Sequence, residues 1–393
     1  MEKRAKILMG LSHLLDQRKS DLLAANNKDF AEHKGLDLSL AERLKVDEGK
    51  IQTMIRSLQE SADKPDPDGK IRYEYRREDG LYMVNKSVPF GTILIIYESR
   101  PDVTIEATAM AFKSGNKILL KGGKEARHTN LLLTSFWHKV LSEHGYDKSW
   151  VKYLDISRQE TQYLIADKDS GIDLIIPRGG DSLIDFVVKN AKAPVIVSGR
   201  GNNFMYIHKD ADLEMATHII INGKSRISVC NALDKVLLHT DFLQNKDTIA
   251  KLLKDLNSNK IEIMGDQTMD EFVELIEINT DEKQWYNEFL SPMIMLSIVS
   301  DMDEAMEKIN TYSGGHSAVI VTRDQEQADL FMERVDCAAV YHNASTRFTD
   351  GSQVGFGGEM AISTQKLHFR GPIGIDQLVT NKWFIYGNGH IRN

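Results

Sequence analysis

Cys230 lies in the run Ser228-Val-Cys230-Asn231-Ala-Leu-Asp234 and is one of only two cysteines in 393 residues. Thiolates attack carbonyl carbon well, so a thiol near the middle of an α/β chain invites a nucleophile reading. The competing reading is a small buried hydrophobe, the commonest use of a lone cysteine. An unperturbed thiol has a pKa of about 8.5, leaving little thiolate at neutral pH. Lys224, Arg226 or a helix N-terminus following Cys230 is expected to lower it. A second set of candidates sits at strand ends, where open α/β sheets bind ligands. Lys121 can reach ribose or phosphate oxygens there. Arg178-Gly179-Gly180 precedes a helix starting near Asp181, so its amides suit either a pyrophosphate or a plain tight turn. No Gly-x-Gly-x-x-Gly follows the first strand of this region, so the usual dinucleotide fingerprint is absent.

These residues need a frame. Residues 2–60 read as helices, with Ile7, Leu8, Leu11, Leu14 and Leu15 at helical spacing. Ser39-Leu-Ala-Glu42 has the form of a capping box for a helix over 40–60. Lys64 to Gly69 is a linker, and alternating side chains on either side of Glu78-Asp79-Gly80 predict a hairpin over 71–87. From Pro89 strands and helices alternate. The expected strands are 92–97, 118–120, 151–154, 173–176 and 194–197, and after Cys230 they are 235–239, 261–264, 294–299, 318–322 and 338–342. Helices are expected at 243–256, 268–278, 302–312 and 324–335. The fold class is therefore α/β, doubly wound, with two such layers following one another and Cys230 where one gives way to the next. The last 40 residues lack this rhythm and finish in the aromatic tail Lys382-Trp-Phe-Ile-Tyr386.

Composition narrows the function. A formal charge of −8 without a basic stripe argues against nucleic acid or an anionic membrane as partner. Two distant cysteines predict no disulfide framework and a reducing compartment. No CxxC, HExxH or Cys/His cluster occurs, so no metal is expected. No apolar window reaches membrane-spanning length and the N-terminus lacks a signal-peptide core, which predicts a cytoplasmic protein.

Several stretches taken together carry a resemblance: Val88 to Val103 with Tyr97-Glu-Ser-Arg-Pro-Asp102, Lys113-Ser-Gly-Asn116, Leu120-Lys-Gly-Gly-Lys124, Asp173-Leu-Ile-Ile-Pro-Arg-Gly-Gly180, Val229-Cys-Asn231, Asn343-Ala-Ser-Thr-Arg-Phe-Thr-Asp-Gly351, Ser363 to His368 and Arg370-Gly-Pro372. The chain resembles the gamma-glutamyl phosphate reductase family (glutamate-5-semialdehyde dehydrogenases) of the aldehyde dehydrogenase superfamily. The resemblance implies a Rossmann-type cofactor domain over 1–70 and 88–224 and a catalytic domain over 225–351. A return segment over 352–374 and a β-flap for oligomerisation, from 71–87 and 375–393, complete the implied fold. It implies NADPH-dependent reduction of L-glutamyl 5-phosphate to L-glutamate 5-semialdehyde and phosphate, in proline biosynthesis, through a Cys230 thioester. A homo-oligomer is the implied assembly.

By position in the motifs, Glu288 of Glu-Phe-Leu-Ser-Pro292 would hold the nicotinamide ribose. Lys121 would bind the adenosine ribose and Lys124 the 2′-phosphate, with Arg178, Gly179 and Gly180 beside the pyrophosphate. Arg100 and Arg347 would take the substrate's carboxylate and phosphate, with Asn343, Ser345 and Thr346 as hydrogen-bonding neighbours. Hydrolytic members of the superfamily carry a water-activating Glu where this chain has Val197-Ser-Gly-Arg-Gly-Asn-Asn203, with no carboxylate. Phosphate rather than water is then the expected acceptor in the reverse direction. The chain departs from the family most in Lys224-Ser-Arg226-Ile-Ser-Val-Cys230, which lacks a proline and is one residue shorter. Two other readings stand beside this one. One is an acylating dehydrogenase for another acyl phosphate or acyl-CoA; the other is a non-catalytic paralogue that associates with glutamate 5-kinase.

Overall fold

The computed structural model describes residues 2–36, 38–227 and 229–392, with the backbone but not the side chains of Leu38, Ser39 and Asp181. The chain opens with four helices: α1 (Lys3–Gln17), α2 (Lys19–Glu32), α3 (Leu38–Leu44) and α4 (Glu48–Asp63). The single helix expected over 40–60 is thus two, because Asp47 caps α4 by accepting from the Lys50 amide at 2.9 Å. The expected Ser39 cap involves a side chain outside the described residues. Leu8, Leu11 and Leu15 of α1 and Ile51, Met54 and Leu58 of α4 are all fully buried. Each such side chain contributes about 1.5–3 kcal/mol on burial.

Next come β1 (Ile71–Arg76), β2 (Tyr82–Pro89), β3 (Thr92–Tyr97), α5 (Val103–Lys113), β4 (Lys117–Lys121), α6 (Arg127–Glu143), β5 (Val151–Tyr153), α7 (Arg158–Ala166), β6 (Leu174–Arg178) and α8 (Asp181–Asn190). The strand expected at 194–197 is only a single bridge, between Ile175 and Val195; Pro194 has no N–H to donate to a ladder. The chain continues through β7 (Asn203–Ile207), α9 (Leu213–Gly223), β8 (Leu233–His239), α10 (Lys246–Ser258), β9 (Glu262–Gly265), β10 (Glu277–Ile278), α11 (Lys283–Tyr286), β11 (Met293–Val299), α12 (Met302–Tyr312), β12 (Ser317–Val321), α13 (Gln325–Arg334) and β13 (Ala339–His342). The helix expected over 268–278 is replaced by a short 3-10 turn, Gln267–Phe272, and the two residues of β10. Asp266 starts that turn by accepting from the Thr268 amide. Finally β14 (Ala361–Ser363) pairs with β15 (Gly371–Ile373), and β16 (Val379–Tyr386) ends the fold.

Two compact units result. The first comprises 1–198, 355–361 and 373–393, and the second 199–354 and 362–372. The second unit begins before residue 225 because β7, absent from the sequence reading, pairs with β8 on one side and β12 on the other. In the first unit a four-stranded parallel sheet has the order β5-β4-β3-β6. Ile93, Leu94 and Ile95 of β3 are fully buried, as expected of a central strand covered on both faces. The hairpin β1–β2 and the tail strand β16 form a three-stranded antiparallel sheet in the order β1-β2-β16. The second unit holds a seven-stranded parallel sheet, β10-β9-β11-β8-β7-β12-β13. Among the described residues no helix is long and apolar enough to cross a membrane.

Candidate active site

In the first sheet the chain runs outward from β3 to β4 and β5, then returns to place β6 on the other side of β3. Ligands bind outside the carboxyl ends of strands at such a reversal. A cleft of roughly 730 Å³ opens there, lined by Tyr97, Glu98 and Ser99 after β3, by Lys121 to Glu125 after β4, and by Ser157, Arg158, Leu183 and Phe186 from the start of α7 and from α8. Its size suits a nucleotide. Lys121 is half-buried and Lys124 exposed. Burial pushes the Lys121 ammonium below the ordinary lysine value, while Asp155 and Glu125 pull it partly back. The guanidinium of Arg158 stacks on Phe186 at 5.0 Å, forming one wall. Gly179 lies tightly against Glu98, whose carboxylate would be 2.7 Å from a Cβ at that position. The Gly180 amide donates to Glu98 at 3.0 Å, and Arg43 pairs with the same carboxylate at 3.0 Å. One amide of the turn expected to receive pyrophosphate is thus engaged by an anion of the chain itself.

Arg100 follows β3 in this unit. Close to it on α5 is Glu106, whose carboxyl is raised to about 7 by burial and by Asp102, with Arg178 and Arg100 pulling it back. Glu106 was not anticipated from sequence; its position one turn into an apolar helix was the available signal.

Cys230 belongs to the second unit and is half-buried, immediately before β8. No helix starts after it, so the helix-dipole route to a lowered thiol pKa is not available. Its main chain is held from below by the stretch Gly201-Asn-Asn203. A Cβ on Gly201 would lie 2.1 Å from the Cys230 carbonyl oxygen, so only glycine permits this approach. The Asn203 amide nitrogen stands 2.8 Å from the Cys230 carbonyl and 2.6 Å from that of Ala232. Asn202 donates to the carbonyls of Trp285 and Tyr312, at 2.7 and 2.8 Å. Asn203 therefore seats the Cys230 loop, while Asn202 ties its own turn to the main chain at Trp285 and Tyr312.

Beside the thiol, Asn231 is clamped by the loop after β13. Its amide donates to the carbonyls of Arg347 and Thr349, at 3.2 and 3.0 Å, and its own carbonyl accepts from Thr346 at 2.8 Å. Arg347 donates back to the Asn231 side chain. Burial and the neighbouring Arg226 hold Arg347 below the ordinary arginine value, while Asp350 and Cys230 oppose them. Arg347, bonded to the residue that follows the thiol, is thus a cation available to an anion at this loop. Ser345 accepts from the Arg347 amide at 3.3 Å, so Ser345 and Thr346 shape the loop that carries the arginine. Asn343 is left-handed, with φ 53°, and its side chain is used by Thr322, accepting from its amide and donating to its carbonyl.

Of the basic residues proposed from sequence to serve the thiol, Lys224 turns inward. Its ammonium is fully buried on Asp234 at 2.5 Å, which leaves Arg347, bonded to Asn231, as the basic residue held next to the thiol loop. Burial lowers the Lys224 ammonium and Asp234 pulls it back up. Glu288 is half-buried between α11 and β11, close enough to Lys224 and Lys235 to favour their charged forms. Asn203, Asn231 and Asp234 were missed as site residues; proximity to Cys230 in sequence marks the last two only.

Residues 1–271 and 272–384 match the aldehyde dehydrogenase family. The chain is 40% identical over 395 residues to a gamma-glutamyl phosphate reductase of Nautilia profundicola, covering 100% of this chain and 95% of that one. It is 41% identical to one of Clostridium beijerinckii, over 98% of this chain and 93% of the relative. The crystal structure of gamma-glutamyl phosphate reductase from Thermotoga maritima superposes with a TM-score of 0.95 at 38% identity, covering 100% of this chain and 94% of that one.

Proposed function

The chain belongs to the gamma-glutamyl phosphate reductases of the aldehyde dehydrogenase family, and from that premise we propose that it reduces L-glutamyl 5-phosphate to L-glutamate 5-semialdehyde through a thioester on Cys230. The observation that carries the reading is a thiol loop seated by Asn203, with the residue after Cys230, Asn231, clamped by the loop that carries Arg347. Cys230 Sγ attacks the γ-acyl carbon, the C–O bond to phosphate breaks, and phosphate leaves with the bond's electron pair toward the Arg347 guanidinium. A nicotinamide cofactor, when bound, supplies the hydride that takes the thioester to the thiohemiacetal level. Collapse of the thiohemiacetal expels the Cys230 thiolate and yields the aldehyde. The Cys230 amide is a candidate donor to the oxyanion.

Lys121, Lys124 and the Arg178-Gly179-Gly180 turn are the residues that would hold the cofactor, and cationic Lys124 at the cleft suits the extra phosphate of NADP. Arg347 is assigned to one substrate anion and Arg100 to the other. The sheet β1-β2-β16 leaves Tyr73, Trp383 and Ile385 more than half exposed, which suits a face for self-association.

The test is phosphate-dependent reduction of NADP by the semialdehyde, run beside NAD. Cys230→Ser is expected to lower kcat by about 10³-fold or more. Turnover within tenfold of the parent enzyme would remove Cys230 as acyl carrier. A preference for NAD over NADP would remove Lys124 as a phosphate reader.

A further inference from the structure

The amino end of β8 buries more charge than the thiol chemistry needs. Lys224 and Asp234 form an ion pair with side chains 0% and 1% exposed. Lys235, the next residue on the strand, is also fully buried. Its ammonium donates to the Asn287 carbonyl at 2.8 Å and stands 3.7 Å from the centre of the Phe289 ring. The second oxygen of Asp234 accepts from the Phe289 amide at 2.9 Å. The carbonyl before Glu288 and the amide after it are therefore both anchored to consecutive residues of β8.

Buried ions are costly, and apolar residues of similar volume commonly stabilise a core as well or better. What the ions supply here is direction: Asp234 is the extra residue of a bulge, where Leu233 pairs with Asn203 and Lys235 with Phe204, and both side chains reach the 287–289 segment. We propose that Asp234 and Lys235, with Lys224 as counter-ion, are positioning residues that fix the main chain on either side of Glu288 and so present its carboxylate to the ribose of the cofactor. The inference rests on the reading of Glu288 as the ribose-binding carboxylate. Because Cys230 lies three residues before Leu233, one strand then sets both the nucleophile and the cofactor carboxylate. Glu288 in turn favours the charged forms of both lysines, against the burial that pulls Lys235 down to about 7.

The test compares Glu288→Gln, Lys235→Met and the double variant Lys224→Met/Asp234→Leu, which removes both members of the ion pair together. Affinity for NADPH is read by fluorescence titration, together with KM, kcat and the rate of Cys230 alkylation by iodoacetamide. All three variants are expected to weaken NADPH binding by about tenfold, with alkylation within about twofold of the parent. The variant Lys224→Met/Asp234→Asn, which keeps an oxygen for the Phe289 amide, is expected to recover most of the loss seen in Lys224→Met/Asp234→Leu. Unchanged binding in Glu288→Gln would overturn the ribose reading and the inference with it. Weakened binding in Glu288→Gln but not in Lys235→Met would overturn the positioning inference alone. Lys235→Met decides this even where the double variant does not fold, since it leaves the ion pair intact.

Discussion

The two parallel sheets put their candidate chemistry at opposite ends. In the four-stranded sheet it gathers at the carboxyl ends, where Lys121 follows β4 and the Gly179-Gly180 turn follows β6. In the seven-stranded sheet Cys230, Asn203 and Asp234 sit at the amino ends of β7 and β8. The carboxyl ends of that second sheet are closed by their own side chains. His208 bonds Asp210 at 2.6 Å, Thr322 donates to the same carboxylate at 2.7 Å, and Asn343 is locked to Thr322. The rule that α/β sheets bind ligands at their carboxyl ends therefore identifies the candidate cofactor cleft, and it would misplace Cys230. A dinucleotide suits helix N-termini and crossing loops. A thiol that must attack, carry the acyl group and be released suits a short rigid loop feeding directly into a buried strand.

That contrast can be broken at either end. Gly201→Ala forces a methyl into the Cys230 carbonyl and should shift the thiol by a fraction of an ångström or more. A misplacement of that size costs about 10²-fold in kcat, and the cofactor affinity measured by titration should stay unchanged. Arg347→Met removes a guanidinium from the thiol's surroundings and should raise KM for the acyl substrate by about 10–100-fold, the worth of a charged hydrogen bond. Steady-state kinetics with unchanged cofactor KM would confirm that the loss belongs to the amino end. Lys121→Met acts on the other sheet. It should weaken NADPH binding by about tenfold and leave Cys230 alkylation untouched. The smallest effect concerns Glu106, which in the folded chain keeps its proton up to about pH 7 against an ordinary value of 4.5. Folding therefore takes up a proton between these limits. The stabilisation is complete below pH 4.5 and is lost as pH rises through 7. Glu106→Gln should raise Tm by about 1–3 °C at pH 8 and change nothing near pH 4.

Much of the fold was legible because strands covered on both faces are written as continuous apolar runs. Thr92–Tyr97 and Met293–Val299 announce themselves in this way, and Asp79-Gly80 announces the hairpin. Strand β7 did not, because its polar start, Gly201-Asn-Asn203, reads as loop; the same polarity is what seats the nucleophile. Pro194-Val-Ile-Val made the opposite error, apolar enough for a strand but unable to sustain a ladder. The candidate site was legible as residue types and less so as directions. Nothing in Lys224-Ser-Arg226 says which side chain turns inward. The deciding partner, Asp234, lies across the thiol loop, and the pairing exists only once β8 has formed. Asn343 shows the same limit: its motif is shared with Arg347, yet its amide serves Thr322.

The first unit is also discontinuous in a way that bears on its synthesis. Ser114 donates to the Ile375 carbonyl and Asn116 to that of Leu378, each at 2.8 Å, and β2 pairs along its whole length with β16. A ribosome delivers α1 to α8 long before it delivers residues 373–393. The helices and the four-stranded sheet must therefore wait, with the inner edge of β2 unpaired, until the last segment emerges. The seven-stranded sheet of the second unit, by contrast, has all its strands once residue 342 has been made, and that unit needs nothing beyond residue 372. The half of the chain that is made first is thus the half that is finished last, and removing residues 379–393 should leave the seven-stranded sheet formed and β2 without its partner strand.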